Sequence, residues 1–241
     1  MGTNGGHAVM GLAHSPRIVT DGLVLCLDAA SKRSYPGTGT TWTDLVTAAQ
    51  GSLLNGASFS SNNSGVISFD GTNDYVDTGV TASSFHGSDG SSSVFTINFF
   101  INASSGFTGS SYTSFTLIGN SAGSGRWILS LNNIDSNLYV GYNFGNLNNS
   151  GSTNTPVPHG QWSYITYSYG GGSLKIYLNG VLSDTISISS FIPNSGNNIR
   201  IGEHASNIRF MGDIASVSSY SRVLSADEVR QNYEATKGRY E

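Results

Sequence analysis

The chain has 241 residues, enough for one large β domain or two small ones, with 31 glycines, 5 prolines and only 11% charged residues, against roughly 25% in an average globular protein. A formal net charge of −4 leaves no basic stripe to neutralise phosphates and argues against a nucleic-acid partner. Apolar β-formers recur every few positions and the glycines keep no three-residue period, which excludes a disordered or collagen-like chain.

Residues 1–20 read as a glycine-rich arm whose main apolar residues are Val9, Met10, Leu12, Ile18 and Val19. A segment of this kind is ordered only where something ties it down, so the arm is expected to anchor on its own domain, on a sister subunit of a homo-oligomer or on another protein. It lacks the basic n-region and apolar h-region of a secretory signal peptide, and MGTNGG meets only part of the myristoylation pattern. Residues 21–241 read as one domain.

Gly22 to Asp28, GLVLCLD, is a short apolar run typical of a buried strand. It carries the single cysteine, Cys26, read as a small buried hydrophobe. Residues 31–44 are expected to loop on turn residues, with Trp42 pinning them to the core. A weak strand follows over Gly51 to Phe59, then strand, turn and strand over VISFDGTNDYV (Val66 to Val76). VFTINFFIN (Val94 to Asn102) is the most apolar strand. Further strands are expected at Phe115–Gly119, Arg126–Asn132 and Leu138–Phe144, with loops at 80–93, 103–114 and 145–158. No apolar run approaches the roughly 18 residues of a membrane helix, and no membrane insertion is expected.

His159 to Leu182, HGQWSYITYSYGGGSLKIYLNGVL, predicts a long hairpin turned by Gly170-Gly171-Gly172, with a second turn at Asn179-Gly180 where both residues tolerate positive φ. Alternation places Trp162, Tyr164, Thr166 and Ser168 on one face and Ser163, Ile165, Tyr167 and Tyr169 on the other. A ribbon with an apolar face must pack on a second sheet. Strands at Asp184–Ser187, Asn198–Gly202 and Arg209–Tyr220 precede one helix. Ser225 is its N-cap, Glu228 completes a capping box, Val229 and Tyr233 form the docking face, and Gly238 is the expected stop. About a dozen short strands indicate an all-β, two-sheet antiparallel sandwich or jelly roll with one short C-terminal helix.

Five segments in order resemble laminin-G-like jelly-roll domains of the concanavalin A-like lectin/glucanase fold: ISFDGTNDYV, FTINFFI, Gln161 to Gly180, IRIG (Ile199 to Gly202) and GDIASVSSYSRVLSADEV (Gly212 to Val229). The leading piece IVTDGLVLCLDAASKRSYPGTGTTWTDL and the ending NYEATKGRY are similar to a subgroup common among virion structural proteins of tailed bacteriophages, although bacterial surface proteins share parts of both. The resemblance implies a capsid-decorating, fibre or appendage protein. It would be assembled in the host cytoplasm and held to capsid or tail subunits through residues 1–20. A bacterial carbohydrate-binding or adhesion module is the alternative.

Glycosidases of that fold carry Glu-x-Asp-x-x-Glu on one strand, because retaining hydrolysis needs two carboxyls about 5 Å apart. This chain has only Glu203, Glu228, Glu234 and Glu241 and no such motif, so no catalytic residue is assigned and a non-enzyme is expected. The five histidines, His7, His14, His86, His159 and His204, show no metal-ligand spacing, and no G-x-S-x-G elbow occurs.

Two binding chemistries stay open. Laminin-G-like domains often hold Ca²⁺ through hard oxygen ligands, which implies a role for Asp70, Asp74 and Asp213, with Asn73 and Asp77 nearby; the same residues also suit Asx-type turns. Carbohydrate binding, with a host-surface glycan as the partner, would use aromatic faces and amides. Tyr112, Tyr139, Tyr142, Asn143 and Tyr177 are the candidates if they share one concave face, and core packing is the competing role.

Overall fold

The computed structural model describes residues 16–88, 93–104, 113–120, 127–134, 136–144, 150–188, 198–204 and 208–240. In chain order its strands are β1 (Leu23–Asp28), β2 (Thr41–Thr43), β3 (Gln50–Leu54), β4 (Ser58–Ser60), β5 (Val66–Asp70), β6 (Tyr75–Thr81), β7 (Gly87–Ser88), β8 (Ser93–Ala103), β9 (Thr113–Asn120) and β10 (Trp127–Ile134). They continue as β11 (Asn137–Asn143), β12 (Ser150–Val157), β13 (Trp162–Gly170), β14 (Ser173–Leu178), β15 (Val181–Ser187), β16 (Asn198–Ile201), β17 (Glu203–His204), β18 (Ile208–Arg209) and β19 (Met211–Tyr220), followed by the helix α1 (Ala226–Thr236).

Two large antiparallel sheets face each other. A nine-stranded sheet runs β15-β14-β13-β8-β19-β5-β4, with β1 on β19 and β7 on β8; an eight-stranded sheet runs β12-β11-β10-β9-β16-β6-β3-β2. Between them lies the main core, which includes Phe99, Ile101, Leu129, Leu131, Ile165, Tyr167, Ile176 and Trp42. The predicted hairpin is present in the expected phase: Ile165, Tyr167 and Tyr169 enter this core, while Gly171 and Gly172 turn at φ 59° and 73°. The Asn179-Gly180 turn takes φ 51° and 78°.

A third layer covers the outer face of the nine-stranded sheet. Ser225 caps α1, accepting from the Glu228 N–H, while the Glu228 carboxylate accepts from the Ser225 N–H in a capping box. Val229 then packs with Val19, Tyr177, Tyr220 and Leu224, and Tyr233 and Tyr240 lie over a cluster containing Val66, Phe100 and Tyr164. Under the helix the strand hydroxyls and amides pair with one another. Thr166 donates to Asn98 Oδ1 at 2.7 Å and Asn98 Nδ2 to Ser218 Oγ at 3.0 Å, so these three side chains satisfy one another. The helix ends at Thr236 and passes into a 3₁₀ turn, Lys237–Arg239, so Gly238 sits inside that turn and does not cap the helix.

Several stretches expected as loop carry strands: β7 lies inside 80–93, and β9 begins at Thr113 inside 103–114. Residues 150–157, read as loop, form β12, which among the described residues pairs only with β11 at the edge of its sheet. An edge strand needs no continuous apolar run and tolerates Pro156, so SGSTNTPV carries little strand signal. Thr41–Thr43 inside the 31–44 loop also pairs, with β3, although Trp42 is fully buried as anticipated.

Residues 16–20, read as the end of the arm, pack on α1. The Val19 N–H donates to Asn232 Oδ1 at 2.8 Å, and Gln231 Nε2 donates to the Arg17 carbonyl at 2.7 Å. Residues 1–15 lie outside the described residues.

Candidate functional site

The outer face of β10, β11 and β12 gathers a polar strip. Alternation along β11 sends Leu138 and Val140 into the core and turns Tyr139, Gly141 and Asn143 outward,. Ser130 stands opposite Gly141, and Asn132 opposite Tyr139. Gly141 has a steric role: a Cβ there would come within 2.5 Å of the Asn132 amide. With no side chain in the way, Asn132 lies across β11. Its Nδ2 donates to Ser152 Oγ on β12 at 2.7 Å, and its Oδ1 accepts from Ser130 Oγ at 3.1 Å. Half-buried Tyr139 and Asn143 flank this floor.

The strip is braced from inside. Tyr167 reaches across the sandwich from the opposite sheet and places its hydroxyl between the carbonyl oxygens of Ser130, at 2.9 Å, and Gly141, at 3.2 Å. Complete burial pushes the Tyr167 phenol well above its ordinary pKa. It therefore stays a neutral donor that fixes the spacing of β10 and β11.

The other glycan candidates stand elsewhere. Tyr142 points into the sandwich, packs against the main core and lies 6.0 Å from Phe144 ring to ring. Tyr177 belongs to the opposite sheet, is 3% exposed and is covered by the layer of Val19, Leu224 and Val229. Tyr112 lies outside the described residues. Tyr139 and Asn143 therefore share a surface, and Tyr142 and Tyr177 do not join them. Asn132 and Ser152 were not singled out in the sequence. The available signal was the lone glycine between Val140 and Tyr142, since glycine inside a strand often marks a close approach by another group.

Asp70, Asp74 and Asp213 meet only in part. Asp74 Oδ2 accepts the Asp70 N–H at 2.8 Å, and Asp70 Oδ1 accepts the Thr72 N–H at 2.6 Å, so both hold the β5–β6 turn. Asp74 Oδ1 is buried without a hydrogen-bond partner. Burial, followed by the neighbouring Asp70 carboxylate, raises the Asp74 pKa. Asp213 lies across the β5–β19 ladder and accepts from Ser68 Oγ at 2.6 Å. No group of three His, Cys, Asp or Glu side chains converges among the described residues. The donors present fit Ca²⁺ only as a two-carboxylate corner at Asp70 and Asp74, with Asp213 apart.

Glu203 is 8% exposed and flanked by Arg200 at 3.5 Å and Arg209 at 3.4 Å. Cys26 is buried, and that burial, aided by Asp28 and Asp44, pushes its thiol up to about 12, the behaviour of an inert structural cysteine. No helix of the described residues is long and apolar enough to cross a membrane.

A laminin-G-type family model of the concanavalin A-like lectin/glucanases superfamily matches residues 69–230. The chain belongs to this superfamily. No curated protein matches the lectin-like chain, but solved structures do. Domain 4 of an extracellular arabinanase from Geobacillus stearothermophilus, in complex with arabinotriose, aligns with TM-score 0.61 and 13% identity over 88% of this chain and 98% of that one. Trypanosoma rangeli sialidase aligns with TM-score 0.67 and 14% identity, over 92% of this chain and 34% of the sialidase. The binding domain of Paraclostridial Mosquitocidal Protein 1 aligns with TM-score 0.66 and 20% identity, over 88% and 52%. At these identities the likeness establishes the sandwich fold alone.

Proposed function

We propose that the chain is a non-enzymatic glycan-binding sandwich carried as a structural component of a tailed-bacteriophage virion. The observation behind the binding reading is the Asn132–Ser152 floor over Gly141, flanked by Tyr139 and Asn143. The buried Asn132 amide holds the strip in place, so the partly exposed Ser152, Tyr139 and Asn143 meet sugar hydroxyls without induced rearrangement, and the aromatic flank suits a sugar's C–H face. No charged side chain belongs to this set, which favours a neutral glycan of the host surface.

Support for the virion setting comes from the resemblance of the leading and ending pieces to virion proteins. In the fold these two pieces clamp each other: Val19 binds Asn232, and Arg239 Nη1 donates to Asp28 Oδ2 at 2.7 Å. The same clamp favours the second reading, a bacterial adhesion module, because it closes the domain on itself.

One map of the protein in its native assembly, paired with glycan-array binding, tests both halves. The proposal expects residues 1–15 against capsid or tail subunits, lost incorporation when they are deleted, and array binding abolished by Asn132→Ala. Normal incorporation of the truncated chain would end the virion half. Array binding untouched by Asn132→Ala and Tyr139→Ala would end the assignment of the strip.

A further inference from the structure

A second cleft opens on the opposite side of the molecule, where the start of β13 meets the C-terminal turn. Its volume is about 370 Å³, and Phe100, Gln161, Trp162, Tyr233, Lys237 and Tyr240 line it, within the range of small-ligand sites. Its wall is a run of ring contacts. Trp162 and Tyr240 centroids are 4.6 Å apart, Phe100 and Tyr240 4.4 Å, and Phe100 and Trp162 5.8 Å.

The tryptophan is placed unlike its counterparts. Trp42 and Trp127 are 0% and 3% exposed inside the sandwich, whereas Trp162 is only half buried at the head of its strand. The turn that carries Gln161 is pinned from below. The Gly160 N–H donates to the Ala103 carbonyl at 2.8 Å, and His159 Nδ1 lies 3.2 Å from the Ser104 carbonyl. A Cβ built on Gly160 meets nothing within 4 Å, so the turn leaves open space beside it. Gln161 is exposed and its amide has no hydrogen bond among the described residues.

We infer that this cleft is a second saccharide site, which takes one neutral pyranose unit stacked on Trp162, edged by Tyr233 and hydrogen-bonded by Gln161 and Lys237. Aromatic faces match the C–H face of a pyranose, and an amide with its donors and acceptor uncommitted, carried on a pinned turn beside them, matches its equatorial hydroxyls. Charge selects the ligand further. The Lys237 ammonium sits 3.1 Å from Glu234 and 5.3 Å from the Tyr233 ring centre, so the rim is charge-balanced and the Tyr233 face already holds a cation, which favours a neutral ligand over the cations that aromatic cages otherwise hold. The proposal borrows from the glycan-binding reading only the class of ligand. The site lies on the nine-stranded sheet and shares no residue with the Asn132–Ser152 strip. Two sites on opposite faces would let one copy bridge two glycan chains.

Because the other two tryptophans are buried, acrylamide quenching of the full-length protein reports on Trp162. The experiment titrates cellohexaose, maltohexaose, mannohexaose and galactohexaose in turn, with decaproline as the peptide control for an aromatic groove, following quenching and heat of binding. The expected result is protection of Trp162 by at least one of them. Trp162→Ala should weaken that binding about tenfold or more, as truncating a buried aromatic anchor does at other interfaces. Gln161→Ala should weaken it about threefold to tenfold with an unchanged melting temperature, which keeps the test valid if Trp162→Ala folds poorly. Three outcomes would overturn the proposal: no protection by any of the four sugars, protection by decaproline alone, or binding that falls with Tyr139→Ala and not with Gln161→Ala. The last would leave the strip on the other sheet standing.

Discussion

Val19 and Asn232, 213 positions apart, are joined by a buried hydrogen bond of 2.8 Å from the Val19 N–H to the side-chain oxygen. Asn232 Nδ2 donates in turn to the Tyr220 hydroxyl at 3.1 Å, and that hydroxyl donates to the Val19 carbonyl at 2.9 Å. Three groups thus close a ring that ties the entry of the chain, the last long strand and the helix. Asn232 is 1% exposed, so no water replaces it readily. Asn232→Ala strands the Val19 N–H and should cost about 2–3 kcal/mol, a fall of roughly 5–10 °C in Tm for a domain of this size. Calorimetry decides it, and a shift below about 1 °C would mean the ring is redundant.

Gly141 predicts a coupled loss. Adding a methyl there forces Asn132 off Ser152, which leaves a buried amide short of partners at a cost of about 1–3 kcal/mol. Gly141→Ala should lower Tm and remove glycan binding at the strip together, whereas Tyr139→Ala should remove binding with Tm nearly unchanged. Glycan-array signal and thermal melts on both variants separate the cases. Full binding by Gly141→Ala would show that Asn132 plays no part in it.

The hairpin, the capping box and the apolar strands were legible because period-two alternation, paired glycines and Ser225-x-x-Glu228 are local signals. β12 was not, since an edge strand owes its pairing to β11 and not to its own apolar content,. The grouping of candidates into surfaces was also hidden. Tyr139 and Tyr177 look alike in sequence, each a tyrosine in an alternating strand. Only the third layer decides that Tyr177 lies beneath Val19 and Val229 while Tyr139 does not. Trp162 was hidden for the same reason: the sequence showed which face it shared with Tyr164, and not that this outer face is only partly covered.

Arg222 and Glu228 make the chain's start sensitive to acid. Arg222 donates to both carboxylate oxygens at 2.6 and 3.0 Å, and its Nε lies 3.0 Å from Asp21. The bond from Arg222, with help from the Ser225 N–H, lowers the Glu228 pKa from 4.5 to about 2. A carboxylate whose pKa falls on folding stabilises fully above its unfolded value and loses that contribution as pH drops through the folded one. The window is therefore pH 4.5 down to about 2. Solvent reaches both side chains, which limits the effect to about 1–2 kcal/mol. The wild type should lose more Tm than Glu228→Gln across this window. Parallel curves would remove the pair from the account of acid stability.

Asp74 runs the other way. Its pKa is raised, chiefly by burial, with the Asp70 carboxylate adding to it, so the ionised form is the disfavoured one in the fold. Its cost is absent below the ordinary carboxylate range and sets in as pH rises through that range towards the raised value. Asp74→Asn keeps an acceptor for the Asp70 N–H and puts an amide where the buried, unpartnered Oδ1 now lies. At neutral pH without added metal it should melt at or above the wild-type temperature, while Asp74→Ala, which loses the acceptor, should melt lower by about 1–2 kcal/mol. Calcium reverses the first comparison if Asp70 and Asp74 hold it. Millimolar Ca²⁺ would then raise the wild-type Tm by mass action on the folded state and leave Asp74→Asn unmoved. A wild-type melt that ignores both Ca²⁺ and EDTA would leave Asp74 as a turn residue held at an electrostatic cost, and calcium would drop out of the description.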